Sequence, residues 1–257
     1  MSAIRVENLV VEYPKGPFRP PHRAVAGISL CVEPGEVVGF LGPNGAGKST
    51  TIKSLLGFIF PKSGRIEVLG HPAGSRPSKR RLGYLPEVAL YYPFLSARET
   101  LLMYGRLMDL PERELKKKVD ETLALVGLSG KEDVRLKHYS KGMQQRVGIA
   151  QSILGDPDLM IFDELSSGLD PVGRRDLRAI LSRLRAAGRT IFFSSHELSE
   201  VELLCDRIII INHGRVLLEE SLEKVRAQRE GRSLEDFFVE VTTGDGPSRG
   251  EGGGRHD

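Results

Sequence analysis

Gly42-Pro43-Asn44-Gly45-Ala46-Gly47-Lys48-Ser49-Thr50, set directly behind the apolar run Val37-Val38-Gly39-Phe40-Leu41, reads as a strand, a phosphate-cradling loop and the start of a helix. Gly42, Gly45 and Gly47 let the backbone curl so that successive N–H groups and the helix N-terminus converge on phosphate oxygens, with Asn44 in the same cradle. Lys48 is long enough to reach the β- and γ-phosphates. The Ser49 hydroxyl is placed to ligate a Mg²⁺ bridging them, and Thr50 and Thr51 are placed to hydrogen-bond the α-phosphate. The bare pattern arises by chance in roughly one chain in a hundred of this size, so its context decides. An apolar strand precedes it and Ile52, Leu55 and Leu56 give the following helix an apolar face, against the alternative of an ordinary Gly-rich turn. The stretch predicts a site for a nucleoside triphosphate and Mg²⁺.

The rest of the chain bounds what surrounds that loop. With 257 residues, 40% of them hydrophobic, it can bury a full core and suits one large α/β domain or one domain with a helical insertion. No apolar run reaches about eighteen residues, and Met1-Ser2-Ala3-Ile4-Arg5 lacks the layout of a signal peptide, so a soluble, cytoplasmic chain is expected. Cys31 and Cys205 stand far apart in apolar contexts and read as buried free thiols, not as metal ligands. The net charge of +3 is scattered along the chain, which gives no footprint for nucleic acid.

Ile4 to Tyr13 alternates apolar and polar residues over most of its length and reads as a strand, and Ile28 to Val32 and Val37 to Leu41 follow as two more. Pro14 to Arg23 is too rich in proline for helix or inner strand and predicts a protruding loop. From Ser96 the period becomes helical. Ser96 with Glu99 forms a capping box, and Pro111 suits the first position of a second helix whose face is Leu115, Val119, Leu123 and Val126. Strands then resume at Leu159 to Phe162 and Thr190 to Ser194 around a helix starting near Pro171, an alternation that implies a parallel sheet. Ile208 to Asn212 and Val216 to Glu219 read as a hairpin, and the Gly-rich residues from Thr243 as a disordered tail.

A phosphate loop needs a carboxylate on the Mg²⁺ side. Asp163, ending the apolar strand, stands where a parallel sheet presents groups to its ligand, with Glu164 beside it. Adjacent carboxylates are costly unless offset. Asp163 as Mg²⁺ partner and Glu164 as base for the attacking water is the economical division of labour; an exposed acidic turn is the plain alternative.

Together with Tyr139 to Arg146 (Tyr-Ser-Lys-Gly-Met-Gln-Gln-Arg), Ser167-Gly168-Leu169-Asp170 and Ser194-Ser195-His196, these motifs resemble in order and spacing the nucleotide-binding subunit of an ABC transporter, from Ile4 to about Thr242. The resemblance implies a P-loop NTPase core of the α/β class with a mostly parallel sheet, an antiparallel β subdomain and an inserted helical subdomain at about 88–155. It places the ATP-binding domain at 1–242 and a flexible tail at 243–257. It further implies a homodimer in which each ATP lies between the phosphate loop of one copy and Ser140 and Gly142 of the other, where a helix start offers dipole and donors to the γ-phosphate. On the same grounds His196 senses the γ-phosphate. Tyr13 either stacks on adenine or is a surface tyrosine at a strand end.

Three positions depart from the family pattern: Lys141-Gly142-Met143 where Gly-Gly-Gln is usual, Glu87 where a glutamine links Mg²⁺ to the membrane partner, and Leu165 in place of a proline. They resemble the single-cassette subunits of type-two export permeases. Glu87 is then a candidate Mg²⁺ ligand, although it adds negative charge near the phosphates. The aromatic run Leu90 to Leu95 either packs between the two lobes or, with Glu87 to Phe94, receives a membrane permease. The expected function is an ATPase with Lys48, Glu164 and His196 in catalysis, peripheral on the inner face of the cell membrane and driving export. An importer subunit, or an ABC ATPase acting on ribosomes or DNA, is the alternative.

Overall fold

Apolar runs without alternation become strands covered on both faces, as continuous hydrophobicity requires. The computed structural model describes residues 2–16, 19–165, 169–195, 197–229 and 231–244. Along the chain come β1 (Ile4–Tyr13), β2 (His22–Val32), β3 (Val37–Leu41), α1 (Lys48–Leu55), β4 (Ser63–Val68), β5 (His71–Pro72), α2 (Arg76–Arg80) and β6 (Leu82–Leu85). There follow α3 (Ala97–Leu107), α4 (Glu112–Leu125), a 3-10 turn at Leu136–His138, α5 (Lys141–Ile153), β7 (Leu159–Phe162), α6 (Pro171–Ala186) and β8 (Thr190–Ser195). The described chain ends with α7 (Leu198–Leu204), β9 (Arg207–Asn212), β10 (Arg215–Ser221), α8 (Leu222–Gln228) and α9 (Leu234–Thr243).

Six strands form one sheet in the order β10-β9-β3-β8-β7-β6, parallel from β9 to β6, with β10 antiparallel at one edge. Alternate residues of its inner strands feed two cores, because successive side chains point to opposite faces. Val37, Leu41, Met160, Phe162, Ile191 and Phe193 face the helical layer that includes α5, α6 and α7. Val38, Phe40, Leu159, Ile161 and Phe192 face α1 and the second sheet, antiparallel in the order β2-β1-β4-β5. Phe40, Phe162, Phe192 and Phe193 are fully buried, each stabilising the fold by about 1.5–3 kcal/mol relative to exposure. Gly39 points at α7: an added Cβ would lie 3.0 Å from Cys205 Sγ and 3.2 Å from Val201 Cγ1, so the absent side chain sets how closely helix and strand approach.

Several expectations shift at their edges. His22 and Arg23 pair with Tyr13 and Glu12 as the first rungs of a hairpin, so the proline-rich loop ends at Pro21. Cross-strand contact, including Arg23 Nε donating to Glu12 Oε1 at 3.0 Å, outweighs local composition there. Pro111 caps α4 from outside with ψ 123° and is not its first residue. The capping box of α3 forms as expected, Ser96 accepting from Glu99 N–H and Glu99 from Ser96 N–H. α9 runs through Thr243, where a tail was expected to start; residues 245–257 lie outside the described residues. Cys205 is buried, whereas Cys31 is half-buried and donates to Glu33 Oε1.

Candidate functional site

Because β3, β6, β7 and β8 run parallel, their C-terminal ends share one edge of the sheet, where ligands of such sheets bind. A cavity of about 660 Å³ opens there, lined by residues 42–50 together with Tyr13, His22, Glu87, Glu164, Ser195, Leu198 and Phe238. The loop leaving β3 is held from behind. A Cβ on Gly42 would stand 2.3 Å from the Ile211 carbonyl, so only glycine lets the loop lie against β9. Thr51, fully buried, donates from Oγ1 to Gly47 O at 2.9 Å; its hydroxyl closes the first turn of α1 and does not line the cavity, contrary to the α-phosphate role expected of it. Thr50 does line it, and its Oγ1 is 3.3 Å from the Tyr13 hydroxyl, which brings Tyr13 to the cavity mouth.

At the floor, Lys48 is 5% exposed; its Nζ donates to Gly42 O at 2.7 Å and lies 3.3 Å from Glu164 Oε1. Asp163 is also buried. Its Oδ1 accepts from Ser49 Oγ at 3.2 Å and from Ser194 Oγ at 2.8 Å, and Ser194 Oγ in turn accepts from Glu164 N–H at 2.8 Å. One serine thus fixes both carboxylate residues. Glu164 takes φ +50°, a left-handed conformation that costs a non-glycine residue about 1–3 kcal/mol and recurs where side chains must be aimed. Tyr84 on β6 reports the local field: burial first, then the Asp163 and Glu87 carboxylates, push its phenol up to about 12.

Ser49 and Asp163 offer a hydroxyl and a carboxylate, hard oxygen donors suited to Mg²⁺. Among the described residues no cluster of three acidic, histidine or cysteine side chains could hold a metal alone. That donor set fits an ion completed by phosphate oxygens. Glu87 sits at the cavity wall.

Ser140 and Gly142 are not brought to this cavity. Ser140 caps α5, accepting from Met143 N–H at 3.2 Å, and with Gly142 it borders a separate concavity of about 270 Å³ beside Leu169 and Asp170. His196, Ser167 and Gly168 lie outside the described residues. The aromatic run divides: Tyr91 turns inward, its hydroxyl donating to Gln151 Oε1 at 3.1 Å, whereas Leu90, Tyr92 and Phe94 are exposed. Sequence reasoning missed Ser194 as the joint between Asp163 and Glu164, although it sits in the quoted Ser194-Ser195-His196 motif. It also missed Leu198 and Phe238, for which no local pattern exists.

The family model described as ABC transporter matches residues 25–167. An uncharacterized ABC transporter ATP-binding protein of Synechocystis is 47% identical over 206 residues, 79% of this chain and 58% of that protein, so the chain spans about three fifths of that relative's length. The Nod factor export ATP-binding protein I of a Rhizobium strain is 38% identical, over 83% of this chain and 71% of that one. A solved ATP-binding subunit of an ABC transporter superposes with a TM-score of 0.81 at 32% identity, covering 93% of this chain and 99% of that chain. With Lys48, Asp163 and Glu164 gathered around a glycine cradle at the sheet edge, the chain belongs to the ABC transporter family.

Proposed function

We propose that this chain is the motor of an exporter: it binds ATP and Mg²⁺, closes as a homodimer, hydrolyses ATP and drives a separate membrane permease. The contact between Lys48 and Glu164 over the bonded pair Ser49 and Asp163 carries the reading. γ-Phosphate oxygens compete for Lys48 Nζ, and the Glu164 carboxylate accepts a proton from the attacking water. Ser49 and Asp163 would hold Mg²⁺, whose charge offsets that of the phosphates. Tyr13 stands at the cavity mouth where a base can stack, and His196, next in sequence to the cavity-lining Ser195, serves as γ-phosphate sensor.

The separation of Ser140 and Gly142 from the cavity supports a dimeric site. Among the described residues a Cβ on Gly142 would meet nothing nearer than Leu169 Cδ2 at 3.9 Å, so their packing does not require glycine there. The lack of a Cβ at Gly142 suits the start of α5 to a phosphate held by a second copy. Glu87 joins the cavity to exposed Leu90, Tyr92 and Phe94, a surface suited to a permease segment. Among the described residues no helix is long and apolar enough to cross a membrane; in this reading the partner supplies the pathway and this chain works at the membrane's inner face. The direction follows the Nod factor export relative.

Glu164→Gln tests the reading: nucleotide affinity is retained, turnover falls by about a hundredfold or more, and light scattering detects an ATP-dependent dimer. Full turnover in that variant removes Glu164 as the base.

A further inference from the structure

The charged residues of α6 join the two parts of the molecule that the proposed dimer uses at different ATP molecules. Its apolar stripe, Leu177, Ile180, Leu181 and Leu184, is buried. Arg174 and Arg178, one helical turn apart and so on one face, both reach the segment behind β8. Arg174 Nη1 is 2.8 Å from Glu197 Oε2, and Arg178 Nη1 donates to Glu200 Oε1 at 2.6 Å. Glu200 is 3% exposed, and its second oxygen has no hydrogen-bond partner among the described residues, so Arg178 supplies the counter-charge of a buried carboxylate. Glu197 N–H donates to Ser195 Oγ at 2.9 Å, and Ser195 and Leu198 are among the residues lining the phosphate-loop cavity. From its opposite side α6 grips α5: Asp176 pairs with Arg146, on the helix that opens at Ser140.

We propose that α6 is a tie bar coupling the two ATP sites of the dimer, with Arg174 and Arg178 as positioning residues. Closing of the cavity wall on ATP at a chain's own loop is passed through the Glu197 and Glu200 pairs to α6. The Asp176 pair passes it on to the Ser140 edge that this chain presents to its partner's ATP. The pairs are well suited to such a task because a guanidinium and a carboxylate bonded in a partly buried setting shift together or separate at a cost. The inference rests on the dimeric reading above.

The test is steady-state ATP turnover of the full chain against ATP concentration. Wild type responds sigmoidally. Arg178→Glu and Arg174→Gln lower the Hill coefficient towards 1 and raise the half-saturating ATP concentration by about fivefold or more. Arg178→Lys keeps most of the sigmoidicity, and Arg178→Glu combined with Glu200→Arg restores it. A merely structural role moves the denaturation midpoint and kcat but leaves the Hill coefficient alone. Should Arg178→Glu fail to fold, Arg174→Gln and the double exchange decide. A hyperbolic wild type, or folded variants all as sigmoidal as wild type, overturns the coupling. Failure of the dimeric reading shows separately, as a Glu164→Gln chain that stays monomeric in ATP.

Discussion

Replacing Gly47 and Gly45 by alanine, one at a time, separates packing from nucleotide contact within one loop. Gly47 caps α1 with φ +111°, and an added Cβ would lie 2.6 Å from the Ala24 carbonyl oxygen. That carbonyl belongs to the backbone of β2 and cannot swing aside as a side-chain end would. Backbone strain costs about 1–3 kcal/mol and forced overpacking about 1–3 kcal/mol more, so Gly47→Ala loses roughly 4 kcal/mol. Gly45 has φ +80° and nothing within 4 Å of an added methyl among the described residues, which leaves strain of about 1–2 kcal/mol. At about 2–4 °C per kcal/mol for a domain of this size, nucleotide-free Gly47→Ala melts about 8–16 °C below wild type and Gly45→Ala about 2–8 °C below. Thermal unfolding followed by circular dichroism reads this directly, and binding of a fluorescent nucleotide reads the consequence for the cradle. Equal melting shifts for the two variants refute the reasoning, because the Ala24 contact would then carry no weight.

Ser194→Ala leaves the Glu164 N–H without its serine acceptor and removes one donor from Asp163, a loss of about 1–3 kcal/mol. The urea midpoint falls and turnover drops roughly tenfold or more; unchanged values in both place Ser194 outside the machinery. Tyr84 gives a pH signature: its folded pKa is raised, so the stability linked to its neutral phenol is complete below the ordinary value near 10 and is lost as pH climbs towards about 12. Denaturation midpoints of Tyr84→Phe therefore fall less steeply than those of wild type across that alkaline window, and parallel slopes contradict the assignment.

The core of the sheet was legible because strands buried on both faces cannot hide: Val37 to Leu41, Leu159 to Phe162 and Thr190 to Ser194 are apolar almost throughout. The loop behind β3 and the carboxylates behind β7 follow from those strands directly. The antiparallel sheet was harder. Ser63–Val68 begins with three exposed residues, and β1 carries register shifts between Val6 and Leu9 and between Val11 and Glu12 that break its alternation. The pairing of His22 and Arg23 with the end of β1 is a cross-strand fact that a proline-rich window conceals. Within the site, Thr51 shows the limit of a motif. It marks which residues gather, while the side chain's own hydrogen bond to Gly47 O decides where the hydroxyl points. Leu198 and Phe238 reach the cavity from elements whose sequence bears no trace of a phosphate.

The position of β3 in its sheet has a consequence for synthesis. Its neighbours are β8 and β9, and β8 begins at Thr190, so the strand that carries the phosphate loop waits for partners made about 150 residues later. At about 5–20 residues per second that is roughly 7–30 s of ribosome time in which a strand of Val, Gly, Phe and Leu has no lasting place in a sheet. The interval is a window for holding by a chaperone, and a nascent chain stopped between Thr50 and Thr190 possesses every residue of the cradle yet lacks the neighbouring strands that hold it.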